Sequence, residues 1–293
     1  MLSLIKKLNL LVRKIGSYDR RLTDIQTMLG RIELRQNQER MSSHFKENEF
    51  KVFSQWGEDG LIQFLLRYVN IVNSVFVEFG VENYLESNTR FLLINNNWSG
   101  LVIDGSPDNI AYIKSDPIYW QHNLKAHCAF VTKENINDLL KENGVVGEIG
   151  ILSIDIDGND YWIWDAIDVV SPAIVIIEYN ARFGTDMSVT VPYDPDFVRS
   201  QKHHSMIYFG ASIRAICSLA EQKGYAFVGC GSAGVNAFFV RRDLKVIEIK
   251  ELTVEEGYVR NKFRESRNQD GQLIYLSQEE EYKLITSLPL DTV

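Results

Sequence analysis

Glu78, Asp104, Asp155 and Glu178 stand at or beside the ends of short apolar runs, and that placement gives the 293-residue chain its candidate chemistry. The runs read Val75-Phe76-Val77-Glu78-Phe79-Gly80 and Leu101-Val102-Ile103-Asp104-Gly105. Two more run from Ile149 to Ile154, followed by Asp155-Ile156-Asp157-Gly158, and from Ile174 to Ile177, followed by Glu178-Tyr179-Asn180. Continuous β-branched runs bounded by glycines and acids predict parallel strands buried on both faces. Open α/β sheets bind their ligands at the carboxyl ends of such strands. Each of those ends carries a group able to hold a ribose, an ammonium or a metal ion.

Several further elements are needed to bring these acids to one edge. Leu61, Ile62, Phe64, Leu65 and Leu66 repeat at helical spacing after Glu58 and Asp59, acids suited to a first helical turn. Helices are expected over 89–95, 108–115, 135–142, 161–167 and about 210–223, with a third strand over 126–131. Two closing strands, 225–229 and 237–241, join through Gly231-Ser232-Ala233-Gly234. The alternation predicts an α/β fold, a doubly wound and mostly parallel seven-stranded sheet with one antiparallel strand from the final pair. The expected division is a helical arm over 1–35, a polar linker over 36–50, the globular domain over 51–244 and a charged, helix-prone extension over 245–293. The extension clusters Arg260, Lys262, Arg264 and Arg267, and reads as a solvated surface or, alternatively, a substrate clamp.

At 45% hydrophobic the chain can bury one large core. Its net charge of −8 is unevenly spread: residues 1–46 hold ten Lys/Arg and four Asp/Glu, a net of +6, which leaves −14 for the rest. An acidic globular part argues against a nucleic-acid partner. Charges interrupt every apolar stretch before it could span a membrane, and the start lacks a signal-peptide cleavage site, so a cytoplasmic protein is expected. Cys128, Cys217 and Cys230, odd in number and without metal-type spacing, read as reduced core residues.

The arm has its own period. With Leu8, Ile15, Leu22 and Leu29 at heptad position a, position d is filled by Leu4, Leu11, Tyr18, Ile25 and Ile32, until the pattern fails at Gln36 and Glu39. This predicts a coiled coil of about four heptads and self-association, the Leu/Ile mix leaning to more than two strands. Two alternatives are a helix packed on its own domain and a helix lying on an anionic membrane through Lys6, Lys7, Arg13 and Lys14.

The order of acid-tipped strands, together with Ser54-Gln55-Trp56-Gly57-Glu58-Asp59, resembles class I S-adenosylmethionine-dependent methyltransferases over about residues 53–244. The closest resemblance is to the FkbM-like branch, many of whose members methylate sugar hydroxyls. It implies a Rossmann-like methyltransferase fold, S-adenosylmethionine as cofactor and a sugar or glycan acceptor. It implies that Glu78 and Gly80 border the amino-acid end of the cofactor and that Asp104 takes both ribose hydroxyls. Gln55, Asn83, Gly105 and Asp155 complete the expected cofactor residues. The chain departs from the family in having one glycine in Gly80-Val81-Glu82-Asn83-Tyr84 where several are usual, so Glu82 or Asn83 is placed to contact the cofactor. The absence of G-x-G-x-x-G counts against a nicotinamide dinucleotide.

Asp155, Glu178 and Asn180 also resemble the carboxylate sets of metal-dependent O-methyltransferases, implying Mg²⁺ or Mn²⁺. The alternative is that Asp155 and Asp157 cap the next helix and Glu178 pairs with Arg182. Asp157 is either a fourth ligand or the general base, and the adjacent His203 and His204 are further candidate bases. Two rival functions remain: a non-catalytic scaffold, with Tyr84 or Glu82 filling the methionine space, and a methyltransferase for a protein, lipid or aromatic acceptor.

Overall fold

The computed structural model describes the backbone of residues 2–40, 42 and 44–293; residues 1, 41 and 43 and the side chains of 2–15, 17 and 19 lie outside the described ones. The chain opens with α1 (Leu2–Arg40), followed by α2 (Glu58–Tyr68), β1 (Val75–Phe79), α3 (Arg90–Asn96) and β2 (Ser99–Asp104). Next come α4 (Pro107–Ser115), α5 (Ile118–Gln121), β3 (Leu124–Cys128), α6 (Ile136–Glu142), β4 (Gly147–Ile154), α7 (Asp160–Ala166) and β5 (Val170–Glu178). The last part holds β6 (Val189–Thr190), α8 (Arg199–Lys202), α9 (Ile213–Gln222), β7 (Tyr225–Cys230), β8 (Asn236–Arg241), α10 (Val254–Gly257), α11 (Gln278–Thr286) and β9 (Asp291–Thr292).

Seven strands pair in the order β3-β2-β1-β4-β5-β8-β7. The first five run parallel, and β8 is antiparallel to both β5 and β7, which makes β8 the reversed strand of the sheet. The doubly wound α/β sheet expected from the sequence is present. Its inner parallel strands are mainly apolar because both faces are covered, whereas the edge strand β3 alternates buried and exposed residues. Val77, Leu101, Ile103, Leu152 and Ile154 face one packed layer, while Phe76, Val102, Ile151 and Ile174 face the other, all of them fully or almost fully buried. Each such Val or Ile contributes roughly 1.5–3 kcal/mol by leaving water, so the sheet is a rigid shelf for whatever stands on its edge.

Three details differ from the sequence reading. The third strand lies at 124–128, because Leu124 and Ala126 supply its buried face while Ala129 to Val131 turn away into a loop. The first helix runs on to Arg40, through residues read as linker, because its C-terminal turns rest on the domain: Asn37 donates to Asn48 O and Leu34 packs with Phe50, Val52, Phe53 and Phe91. Cys128 is exposed rather than in the core, Cys217 is half-buried and Cys230 is buried.

The last fifty residues do not form a free extension. Lys262 N–H donates to Ala233 O, Arg267 N–H to Ser205 O, and β9 pairs with β6. Phe263 stacks on Trp56 at 5.3 Å between ring centroids. Buried Arg182 pairs with Glu265 at 3.0 Å and Glu281 at 3.4 Å, which ties the segment to the loop after β5. The reading of this segment as a solvated surface is thereby replaced by a wall of the domain.

Candidate functional site

The sheet reverses its winding between β1 and β4, and the loops that follow β1, β2, β3, β4 and β5 open there onto one cleft of about 750 Å³. Gly80 shows how tightly the two central loops meet. It has φ +71°, and a Cβ at its position would stand 1.7 Å from the backbone oxygen of Asp155. No side chain fits there, so glycine is required.

Of the predicted residues, Gln55, Glu78, Gly80, Asp104, Gly105, Asp155, Asp157 and Glu178 all line the cleft. Their states differ. Glu78 is buried and accepts from Ser87 Oγ, the Asn88 and Thr89 N–H groups and Thr89 Oγ1, at 2.5–3.1 Å. Its oxygens therefore fix the 87–89 turn rather than reach for a ligand. Asp104 accepts from Ser106 N–H and Asn109 Nδ2 on Oδ1, and from Glu82 N–H on Oδ2. A carboxylate offers about four acceptor positions, so Asp104 keeps roughly one, enough for a single hydroxyl and not the pair expected from the sequence.

Asp155 and Glu178 are the opposite case. Among the described residues neither carboxylate receives a hydrogen bond, and Glu178 Oε2 is buried without a partner. Asp160, at the start of α7, joins them: ligand-capable oxygens of Asp155, Asp160 and Glu178 lie within 4.8 Å of one another. Burial, then the charges of Asp157, Asp160 and Glu78, raises Asp155 well above the usual carboxylate range, and Arg199 partly opposes this. Burial, then Asp155, does the same to Glu178. Burial pushes Asp160 up to about 6 against backbone hydrogen bonds that favour its charge. Three acids this close together favour a proton, a cation or a positively charged ligand among them.

The remaining predicted residues are not brought to the cleft in the expected way. Asn180 is buried behind β5. Its amide donates to Ile207 O and Phe209 O, its Oδ1 accepts from Arg182 N–H, and it does not line the cleft. Asn83 turns back to accept from Leu85 N–H. Asp157 does line the cleft, but it is exposed, has φ +58° and is paired with Arg199. Arg182 pairs with Glu265 and Glu281, not with Glu178. His203 and His204 stack on each other at 4.2 Å away from the cleft lining, and His203 Nδ1 accepts from Ser205 N–H, so its proton sits on Nε2. Burial also holds His203 below the usual imidazole value.

Residues the sequence did not signal complete the walls. Ala129, Phe130 and Val131 line it after β3; Asn159, Phe197, Arg199 and Asn236 line it as well; Phe263 and Glu265 add a wall on which Trp56 of the quoted motif stacks. Tyr84, suspected of blocking the methionine space, is buried outside the lining with its hydroxyl on Thr89.

No family model and no curated protein matches the chain. Solved structures do. One is an S-adenosylmethionine-dependent methyltransferase from Clostridium acetobutylicum, 11% identical, covering 62% of this chain and 89% of that one at a TM-score of 0.41. Another is the N-terminal domain of EvdMO1 with SAH bound, 12% identical, covering 71% and 96% at 0.42. A third is an O-methyltransferase from Bacillus cereus in complex with SAH, 17% identical, covering 57% and 72% at 0.37. These are likenesses in the course of the chain, and the chemistry of the cleft has to follow from its own residues.

Proposed function

We propose that the chain is an S-adenosylmethionine-dependent O-methyltransferase whose acceptor is a hydroxyl of a sugar or glycan. The observation that supports this reading best is the division of labour along one rim: a pre-oriented Asp104 with one acceptor position left, beside Asp155 and Glu178 with none filled. A cleft of about 750 Å³ lies in the range that takes a nucleoside-bearing cofactor with a small acceptor beside it.

When bound, the cofactor supplies a methyl group on a sulfonium that departs neutral. The protein must therefore align the acceptor and remove its proton. Asp104 holds a ribose hydroxyl, and Phe130 with Val131 offers apolar surface for the base. Asp155 takes the acceptor proton. Its burial, with the charges of Asp157, Asp160 and Glu78 nearby, raises its affinity for that proton. Asp157, once a candidate base, is instead occupied by Arg199, and neither His203 nor His204 is in reach.

A sugar suits the acceptor half because Asn236 Oδ1 is buried without a partner and the Trp56–Phe263 stack offers an aromatic flank, while Arg199 and Asn159, bonded to Glu265, Asp157 and Asp194, give the cleft a polar wall. A divalent metal also fits. Asp155, Asp160 and Glu178 present hard oxygens converging on one point, and Glu178 Oε2 lacks any other partner. Mg²⁺ or Mn²⁺ held there would lower the pKa of an acceptor hydroxyl, with Asp155 then serving as a ligand in place of its role as base. Asp160 takes the place first given to Asn180.

Titration calorimetry with S-adenosylhomocysteine tests the cofactor half. Micromolar binding that falls about 10–100-fold in Asp104→Ala is expected from the loss of a charge-assisted hydrogen bond; no binding by the native chain overturns the reading. Labelled methyl transfer to a panel of sugars and phenols, with and without chelator, tests the acceptor and the metal.

A further inference from the structure

We propose that α1 carries an interface for a second copy of this chain, formed by its Tyr18, Leu22, Ile25, Leu29 and Ile32 face as a parallel two-stranded coiled coil. The observation is an opposition between two faces of one helix. Thr27, Gly30, Leu34 and Asn37 turn toward the domain: a Cβ on Gly30 would touch Val52, Arg31 Nε donates to Asn95, and Arg67 donates to Gln38 O. The opposite face leaves Tyr18 60%, Leu22 62%, Ile25 48%, Leu29 60% and Ile32 46% exposed. These five are successive d and a positions of the heptad repeat, and Met28 beside them is 54% exposed. A helix that needed its apolar stripe for its own domain would have turned it inward. Here the domain takes the b, c and f positions, and the seam is left on the outside.

The occupant follows from the repeat and from charge. A strict 3.5-residue period is complementary to another helix of the same period, and the same sequence provides it. By sequence the repeat continues without a break through Ile15, Leu11, Leu8 and Leu4, whose side chains lie outside the described ones. Of the g positions Lys7, Lys14, Arg21 and Arg35 are basic and Met28 is apolar; of the e positions Asp19 and Glu33 are acidic and Ile5, Val12 and Gln26 are uncharged. An antiparallel pair would set g against g and oppose basic flanks; a parallel pair sets g against e and faces Lys14 with Asp19. Two strands rather than three follow from Gln26. This e residue donates to Val52 O, so beyond the g row of one partner that flank meets the domain and leaves no room for a third helix. The preference for more strands suggested by the Leu/Ile mix is thus overridden by the body the helix rests on.

Light scattering on the full chain is expected to give twice the single-chain mass, and Leu22→Asp/Leu29→Asp to give the single-chain mass with an unchanged near-ultraviolet spectrum of the domain. Leu29→Cys in a Cys128→Ser background is expected to cross-link to itself through a short bismaleimide, whereas Arg20→Cys, at an f position, is not. A single-chain mass for the native protein, including one that instead binds anionic vesicles, overturns the proposal. So does a mass of three or more copies, a mass unmoved by the double substitution, or a dimer in which Leu29→Cys fails to cross-link.

Discussion

Two pairs of carboxylates stand on the same rim, and they differ in what they have been given. Glu78 and Asp104, at the ends of β1 and β2, are surrounded by donors: Glu78 is saturated and Asp104 nearly so. Asp155, half-buried, and Glu178, buried, at the ends of β4 and β5, receive nothing among the described residues. Burying an acid with its bonds made shapes a loop. Burying one without them costs stability, and folds tolerate that cost chiefly where a ligand or a proton will settle it. The contrast separates the half of the cleft that is scaffold from the half that is poised to react.

The sharpest way to break this contrast is to exchange the consequences. Asp155→Asn should leave the fold intact and reduce methyl transfer by about 10²–10⁴, the usual worth of a positioned base; retention of more than a tenth of the turnover would move the base elsewhere. Glu78→Ala should do the reverse in kind. It strands the Ser87, Asn88 and Thr89 donors and should lower folding stability by about 3–4 kcal/mol in urea titration. A smaller effect concerns pH. Glu178 has its folded pKa raised, so it favours the folded state in its protonated form, and stability is lost as pH rises above the unfolded value toward the folded one. In chelator-treated protein Glu178→Gln should therefore melt higher at pH 8, by about 2–4 °C per kcal/mol recovered, and show no advantage below about pH 4. Least of all, Phe263→Ala removes one ring of the aromatic flank and should raise the acceptor KM about 2–10-fold with kcat little changed.

What could be read beforehand follows the range of the interactions. The strand ends were legible because a doubly covered parallel strand must be apolar throughout and then stop, and Val77, Ile103, Ile154 and Ile177 obey that locally. Asp160 was hidden because its oxygens accept from Ile156 and Gly158 N–H, the signature of a helix start; only the fold turns it toward Glu178. Asn180 misled in the opposite sense. Its neighbour Glu178 makes it look like a ligand, but the carbonyls that consume its amide come from Ile207 and Phe209, nearly thirty residues on. His203 and His204 show that two imidazoles in a row carry no information about where they point. The wall made by Phe263 and Glu265 was invisible because its partners, Trp56 and Arg199, are distant in sequence and its own composition is that of a solvated tail.

The contact between Gly80 and the Asp155 oxygen has a thermodynamic consequence. Because the obstacle is main chain on both sides, the β1 and β4 loops cannot shift independently, and a guest that rearranges one displaces the other. Occupancy at the nucleoside end and at the hydroxyl end should then be linked, each changing the affinity of its neighbour by one common factor. Calorimetric titration of either guest, with the other absent and then saturating, should return equal ratios that differ from one.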